Sequence, residues 1–342
     1  MTKNPEASIV VCAYNSSDYI ESTLQALIDL SYPNGKYEVI VVNDDSSDNT
    51  AEIVRRFKTV RLVNHRTNEG VSAARNSGLK AARGKWLAFI DDDCVADKRW
   101  LSLLLRELQK PQVIGAGGLI KPHSTRHVLQ RYLFSAGYGR PATLAEGLAT
   151  NIFARLLSYV RSQFAHAFGE VVASEVFEVY GANSAFHTQS LRLIGGFDAQ
   201  LQSSEDSDIC RRLHEWSPYG SIRFNPDAVV YHRYTGSLIS YLAKLFKRQR
   251  DTLDYYTRQG KFPPLYPMPL VFCLLVAASI CISWQLALST LVVSPLILYG
   301  WWLVGALKAV RPELLLYPYI QLSEECVRLG GLFVAAVKVQ SP

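Results

Sequence analysis

The sequence predicts an α/β fold: a mainly parallel, Rossmann-like sheet covered on both faces, followed by transmembrane and interfacial helices. Three observations carry this. Short, wholly apolar runs alternate with helical patterns over residues 7–118. Polar clusters follow three of those runs. A tract of 46 residues, 262–307, contains no Asp, Glu, Lys or Arg. Strands that are apolar throughout are buried on both faces, which is the habit of parallel strands under crossover helices.

The elements follow in order. Residues 7–13 form a first strand, and 18–30 a helix with apolar spacing through Ile20, Leu24, Leu27 and Ile28. A second strand at 37–42 leads to a helix at 50–57. A third strand at 60–63 leads to a helix at 71–82. A fourth strand at 86–90 runs into Asp91-Asp92-Asp93. Ligands of such sheets bind outside the carboxyl ends of the strands. Asn15, the 43–48 cluster and the acidic triplet all lie at strand ends, so three ends point to one crevice.

Residues 119–178 leave two readings open. Leu129, Tyr132 and Leu133, then Phe153, Leu156, Leu157, Val160, Phe164 and Phe168, have helical spacing. They suit either core packing or helices lying on a bilayer, given the interspersed arginines. Residues 180–235 return to a folded pattern, with a turn at Gly195-Gly196 and a helix over 205–216.

One crossing of a bilayer core of ~30 Å takes ~20 residues. The uncharged tract therefore predicts a transmembrane hairpin of two crossings, with its turn at Ser283-Trp284-Gln285. Basic residues flank it: Lys244, Lys247, Arg248, Arg250, Arg258 and Lys261 before, Lys308 and Arg311 after. Both ends are then cytoplasmic. The apolar run 314–337 carries Glu324, Glu325 and Arg328, which fits an interfacial helix better than a third crossing. The expected domains are a cytoplasmic catalytic domain over 1–240, a basic juxtamembrane segment over 241–261, the hairpin over 262–307 and an interfacial tail over 308–342.

Composition narrows the function classes. Of 342 residues, 49% are hydrophobic, too many for a disordered chain. Charged residues are 19%, below the roughly 25% of a soluble domain. The net charge of +6 gathers beside the apolar tract, which points to a membrane surface and away from nucleic acid. The six cysteines form no C-x-x-C pair and read as small buried hydrophobes in a reducing compartment. No 7–15 residue apolar signal region opens the chain, so the first domain is expected in the cytoplasm of a membrane-anchored, multi-pass protein.

The chemistry starts at the triplet. Asp91 and Asp93, two apart at a strand end, are expected to point to one side. Two hard oxygen ligands suit Mg²⁺ or Mn²⁺ bridging substrate phosphates.

Several segments together resemble the family 2 glycosyltransferases of GT-A fold, over roughly residues 7–235. They are Val11-Cys12-Ala13-Tyr14-Asn15, Asn43-Asp44-Asp45-Ser46-Ser47-Asp48, Ala74-Arg75-Asn76-Ser77-Gly78, Asp91-Asp92-Asp93, Gly181-Ala182-Asn183 and Glu205-Asp206-Ser207-Asp208, in the family's order. The resemblance implies inverting transfer of a sugar from a nucleotide donor to an acceptor hydroxyl, with a divalent cation. It places Asp44 on the nucleotide, with Ala13, Tyr14 and Asn15 lining the base pocket, and gives Asn43 no role. Arg75 falls where members often place a donor-contacting cation, or else holds its helix in a salt bridge. Asp91 and Asp92 lie on the donor side, and Asp91 with Asp93 takes the metal. His232 follows the apolar run 228–231; in some members a histidine there is a third metal ligand, while a lone histidine also serves packing alone. The family's acidic pair falls on Glu205-Asp206. Asp206 is the expected general base, Glu205 the alternative, and Asp208 caps or packs the helix.

The leading expectation is transfer of one or a few sugars, with UDP the family's commonest nucleotide, to a lipid-linked or membrane-proximal glycan acceptor. A processive polysaccharide synthase would carry Q-x-x-R-W, which the 248–251 segment lacks. A non-catalytic sugar-nucleotide sensor would not need Asp91, Asp93 and Asp206 intact.

Overall fold

Each apolar run from residue 7 to 90 forms a strand and stops within a residue or two of its last apolar side chain. The computed structural model describes residues 5–168, 172–201, 203–309 and 311–339. In chain order the elements are β1 (Ala7–Ala13), α1 (Ile20–Ile28), β2 (Tyr37–Asn43), α2 (Thr50–Arg56), β3 (Val60–Asn64), α3 (Val71–Ala81), β4 (Trp86–Asp91) and β5 (Cys94–Ala96). Then come α4 (Trp100–Leu108), β6 (Val113–Pro122), α5 (Val128–Ser135), α6 (Leu144–Gly147), α7 (Ile152–Phe168), β7 (Ser174–Val176), β8 (Ser184–His187), α8 (Thr188–Leu193), α9 (Glu205–Trp216) and β9 (Ser221–His232). The chain continues through α10 (Leu238–Arg258), α11 (Met268–Ile280), α12 (Trp284–Leu298), α13 (Trp301–Ala309) and α14 (Tyr317–Val339).

The chain divides into two compact units. The first holds all the strands described. Their order is β3-β2-β1-β4-β8-β6-β9-β5, with β7 on β9. The first four pair in parallel, Val10 lying between Ile40 and Phe89. Beyond β4 the sheet is mixed. β8 runs antiparallel to β4 and β6, β5 and β7 run antiparallel to β9, and β6 pairs with β9 in parallel. The expectation of a mainly parallel sheet therefore holds only for the half built by crossover helices. The return strands are separated by irregular connections, and no local pattern encodes the direction in which they pair.

Alternation along β1 divides the core. Ile9 and Val11 pack with Leu24, Leu27 and Trp100 on one face. Val10 packs with Ala74, Phe89, Phe197 and Leu213 on the other. Strands covered on both sides stay rigid, and a rigid sheet holds the loops at its carboxyl edge.

The second unit, made of α5, α7 and α10–α14, is helical. It shares the 119–178 region with the first: α5 and α7 belong here, β6 and α6 do not. Leu129, Tyr132 and Leu133 are buried, as core packing requires, whereas Phe153, Leu156, Leu157 and Val160 are exposed. Side chains 164–168, which include Phe164 and Phe168, lie outside the described residues. Among the described residues no single helix is long and apolar enough to cross a membrane. α12 and the first turns of α13 pass that test only together, and they are bent by 75°. The uncharged tract breaks at residues 281–283, where Ser283 caps α12, close to the expected turn.

Candidate active site

The carboxyl ends of β1, β2 and β4 carry polar loops that are stitched to one another. Asn15 at φ 53° and Asp45 at φ 60° adopt the left-handed conformation, which Asn and Asp tolerate better than most residues. Asn15 Oδ1 accepts from the Ser47 N–H at 2.9 Å, and the Asn15 N–H donates to Ser46 Oγ at 3.0 Å. Tyr14 is exposed and free to stack. Ala13 is buried, and its carbonyl accepts from the Asp44 N–H at 2.9 Å. Of the three residues expected to line a base pocket, Tyr14 and Asn15 are exposed, Asn15 also tying loops, and Ala13 faces the core.

Asp44 differs more sharply from expectation. It is 4% exposed, and both carboxylate oxygens have internal partners. Oδ1 accepts from the Glu69 N–H at 2.9 Å and lies 2.7 Å from His65 Nδ1, while Oδ2 accepts from the Gly70 N–H at 2.8 Å. It anchors the turn into α3, where Gly70 sits at φ 88°. These internal partners leave this carboxylate little exposed surface for a direct nucleotide contact. His65 went unnoticed in the sequence. Its signal is position: it is the first residue after β3, at the same edge as the other clusters.

The acidic triplet splits three ways. β4 ends at Asp91, Asp92 and Asp93 form a turn, and β5 resumes at Cys94. The two-residue alternation of a strand stops at Asp91, so strand geometry alone does not set the side to which Asp93 points. Asp92 turns back to the β1–α1 loop, accepting from Ser16 Oγ and, at 3.3 Å, from the Tyr14 N–H. Burial pushes its carboxyl up to about 7, and the Asp91 and Asp93 charges add to this. Asp91 is partly open and lies 3.9 Å from Arg75 Nη2.

Asp93 instead joins His232. Its Oδ1 lies 3.4 Å from His232 Nε2 and 3.8 Å from Cys94 Sγ, and possible ligand atoms of the three lie within 4.8 Å of one another. The register of β5 on β9 sets this, because Cys94 pairs opposite His232. Burial, with the Asp91 and Asp93 charges, pushes the Cys94 thiol well above its usual range, which favours the thiol while no cation is bound. That leaves one carboxylate oxygen and one imidazole nitrogen, a donor set that fits Mn²⁺ with further positions for substrate oxygens. Asp91 stands outside the group.

Arg75 is 4% exposed and lies on α3. Its Nη1 donates to Glu205 Oε1 and to Asp206 Oδ1, both at 2.9 Å. The Gly181 N–H donates to Asp206 Oδ2 at 2.8 Å. A Cβ at Gly181 would overlap the guanidinium and stand 2.9 Å from Asp206 Oδ1, so a larger residue there would displace Arg75 from its carboxylates. Ser204 at φ 65° turns the chain so that α9 opens on its acidic residues, which the helix N-terminus favours. Burial pushes the Asp206 carboxyl up to about 7; Arg75 opposes this and Glu205 adds to it. Its side chain is still 23% exposed, so solvent and ligands reach it. Asp208 turns away and pairs with Arg211 at 2.8 Å and Arg212 at 2.7 Å.

A mixed α/β sheet with acidic groups and a carboxylate–imidazole pair at its carboxyl edge defines a GT-A-like domain. Residues 8–153 match glycosyl transferase family 2. Glycosyltransferase AglE of Haloferax volcanii is 38% identical over 101 residues, 28% of this chain and 33% of AglE. Probable glycosyltransferase YdaM of Bacillus subtilis is 26% identical over 240 residues, 68% of this chain and 52% of YdaM. The chain thus spans between a third and about half of the length of these curated relatives. The fold is also that of the mannosyltransferase PcManGT from Pyrobaculum calidifontis, solved in complex with GDP-Man and Mn²⁺, at a TM-score of 0.61 and 20% identity over 98% of this chain and 87% of that one. The domain and its relatives support a glycosyltransferase.

Proposed function

We propose that the first unit moves a glycosyl group, with inversion, from a nucleotide-diphosphate sugar to a hydroxyl of a lipid-linked or membrane-proximal acceptor. The observation that carries this is Asp206: a carboxylate with raised proton affinity, fixed by Arg75 and the Gly181 N–H, and still open to solvent. In the reaction the acceptor oxygen attacks the anomeric carbon, its proton passes to Asp206, and the bond to the diphosphate breaks as the nucleoside diphosphate leaves. Glu205, on the same guanidinium, is the alternative base. Asp93 and His232 would hold a divalent cation, Mn²⁺ or Mg²⁺, which when bound neutralises diphosphate charge. Asp91 faces the donor, Tyr14 offers a ring to the base, and Asp44, Asn15 and Asp92 shape the loops around it. Arg75 acts by positioning the acidic pair. A UDP-sugar is the working choice of donor, and the catalytic unit is assigned to the cytoplasmic side of the cell membrane.

Donor hydrolysis by the detergent-purified chain tests the reading. UDP-, GDP- and dTDP-sugars are offered with Mn²⁺ or Mg²⁺, and release of the nucleoside diphosphate is followed. Release from one donor class, lost on chelation, is expected. Donor binding with no turnover on any donor or acceptor would favour a sensor instead.

The raised proton affinity of Asp206 sets the pH response. A base must be unprotonated to act, so the rate is expected to fall about tenfold per pH unit below about 7, where the carboxyl takes up its proton. A transfer rate that stays flat down to pH 5 would remove Asp206 from that role.

A further inference from the structure

The second unit buries polar side chains and exposes large apolar ones on several of its helices. On α7, Arg155, Tyr159 and Gln163 are buried, while Phe153, Leu157 and Val160 on the opposite face are exposed, Phe153 to 81%. On α14, Gln321, Glu324 and Glu325 are buried, and Phe333 and Val337 are exposed. The buried groups satisfy one another. Glu325 accepts from the Tyr159 and Tyr299 hydroxyls at 3.0 Å, Gln321 Nε2 donates to Gln163 Oε1 at 2.7 Å, and Trp302 Nε1 donates to Gln321 Oε1 at 2.8 Å. α11 and α12 continue the pattern, burying Ser279 and Ser294 and exposing Leu274 and Ile297. Water disfavours so much exposed apolar side chain, whereas a hydrocarbon surrounding favours apolar side chains outward and polar ones facing the interior.

The helices are nevertheless short. α11 has 13 residues and α12 has 15, so at 1.5 Å per residue they reach about 20 and 22 Å, against a hydrocarbon core of ~30 Å. The segment before α11 adds no helix: Phe262 is tied to the start of α7, its carbonyl accepting from Arg155 Nε at 3.0 Å and its N–H donating to the Thr150 carbonyl. α10 supplies a headgroup-facing element. Lys244, Lys247 and Arg248 stand exposed at spacings of three and four, on one face, while Tyr241, Leu245 and Gln249 are buried. An exposed basic face complements an anionic lipid surface.

We propose that this unit is a monotopic membrane anchor. The α11–α12 hairpin, α7 and the outer face of α14 enter one side of an anionic lipid bilayer without reaching its far face, and α10 lies among the headgroups. The inference stands on the second unit alone and does not depend on the catalytic reading.

The native chain carries the probe. Cys273 on α11 and Cys281 at the α11–α12 break are exposed thiols. The full chain is reconstituted into vesicles of phosphatidylcholine and phosphatidylglycerol. It is then treated with a membrane-impermeant maleimide from outside, from inside, or with a lipid-soluble maleimide, and peptides are read by mass spectrometry. The expected result is that Cys281 resists the impermeant reagent from both sides, with labelling at least tenfold below that in detergent-free urea, and reacts with the lipid-soluble one. Labelling of Cys281 from the side opposite the catalytic unit would mean a crossing and would overturn the proposal. Labelling from the catalytic side would mean no insertion and would also overturn it. So would a chain that stays soluble as an oligomer without lipid or detergent while Cys281 is shielded, because a second copy would then cover the apolar face.

Discussion

Replacing Asp206 by Asn is expected to leave donor binding intact and to cut the transfer rate by about 10²–10⁴-fold. The amide keeps the shape of the carboxylate and can still accept from Arg75 at one oxygen, but it cannot take a proton. The Gly181 N–H now meets either the amide oxygen or its NH₂ group, so the Arg75 contact decides which way the amide faces. Donor affinity should change little, since the proposed donor contacts lie around Tyr14, Asp91 and the Asp93–His232 pair. The measurement sets donor Kd by calorimetry beside the single-turnover transfer rate. A variant that transfers at near wild-type rate would pass the role to Glu205, whose Oε1 shares the same guanidinium nitrogen. Asp44→Ala gives the contrast. Because Asp44 binds Glu69, Gly70 and His65 and no open surface, the loss expected there is in thermal stability and in order of the α3 turn, with any effect on the donor following from that.

The first four strands were legible because burial on both faces leaves an unbroken apolar run, and β1 and β4 show it clearly. Their polar ends were legible for the same reason: a run that stops abruptly at Asn15, Asn43 or Asp91 marks where the sheet meets its crevice. What followed depended on pairings no local pattern encodes. Arg75 meets its carboxylates 130 and 131 residues away. His232 reaches Asp93 only because β9 folds back beside β5. The strand alternation that would put Asp91 and Asp93 on one side ends at Asp91, and the turn over residues 92–93 is not encoded in any local apolar pattern. In α7 the spacing of Phe153, Leu157 and Val160 gave the helix but not the sign of its face, because periodicity is the same whether the apolar side meets a core or lipid.

Loss of either Asp93 or His232 is expected to abolish metal-stimulated transfer, and the larger discrimination comes from a third residue beside them. On the proposed assignment each would supply one donor atom, so losing either would remove one of the two protein ligands assigned to the ion. Disturbing even an outer-shell partner of a metal site costs about 10–100-fold in affinity, and losing one of two direct ligands should exceed that. Asp93→Ala and His232→Ala are therefore expected to weaken Mn²⁺ binding by more than about 100-fold, read by the electron paramagnetic resonance of free Mn²⁺ in the absence of any substrate. Cys94→Ala makes the test specific. Cys94 lies within the same cluster, but burial raises its thiol above the usual range, and sulfur is a poor ligand for a hard ion. Its removal should leave Mn²⁺ affinity within about threefold of wild type while opening a small void under β5. If Cys94→Ala instead loses Mn²⁺ as severely as His232→Ala, the thiol must ionise on binding, and a softer, thiolate-preferring ion such as Zn²⁺ becomes the better fit to this centre.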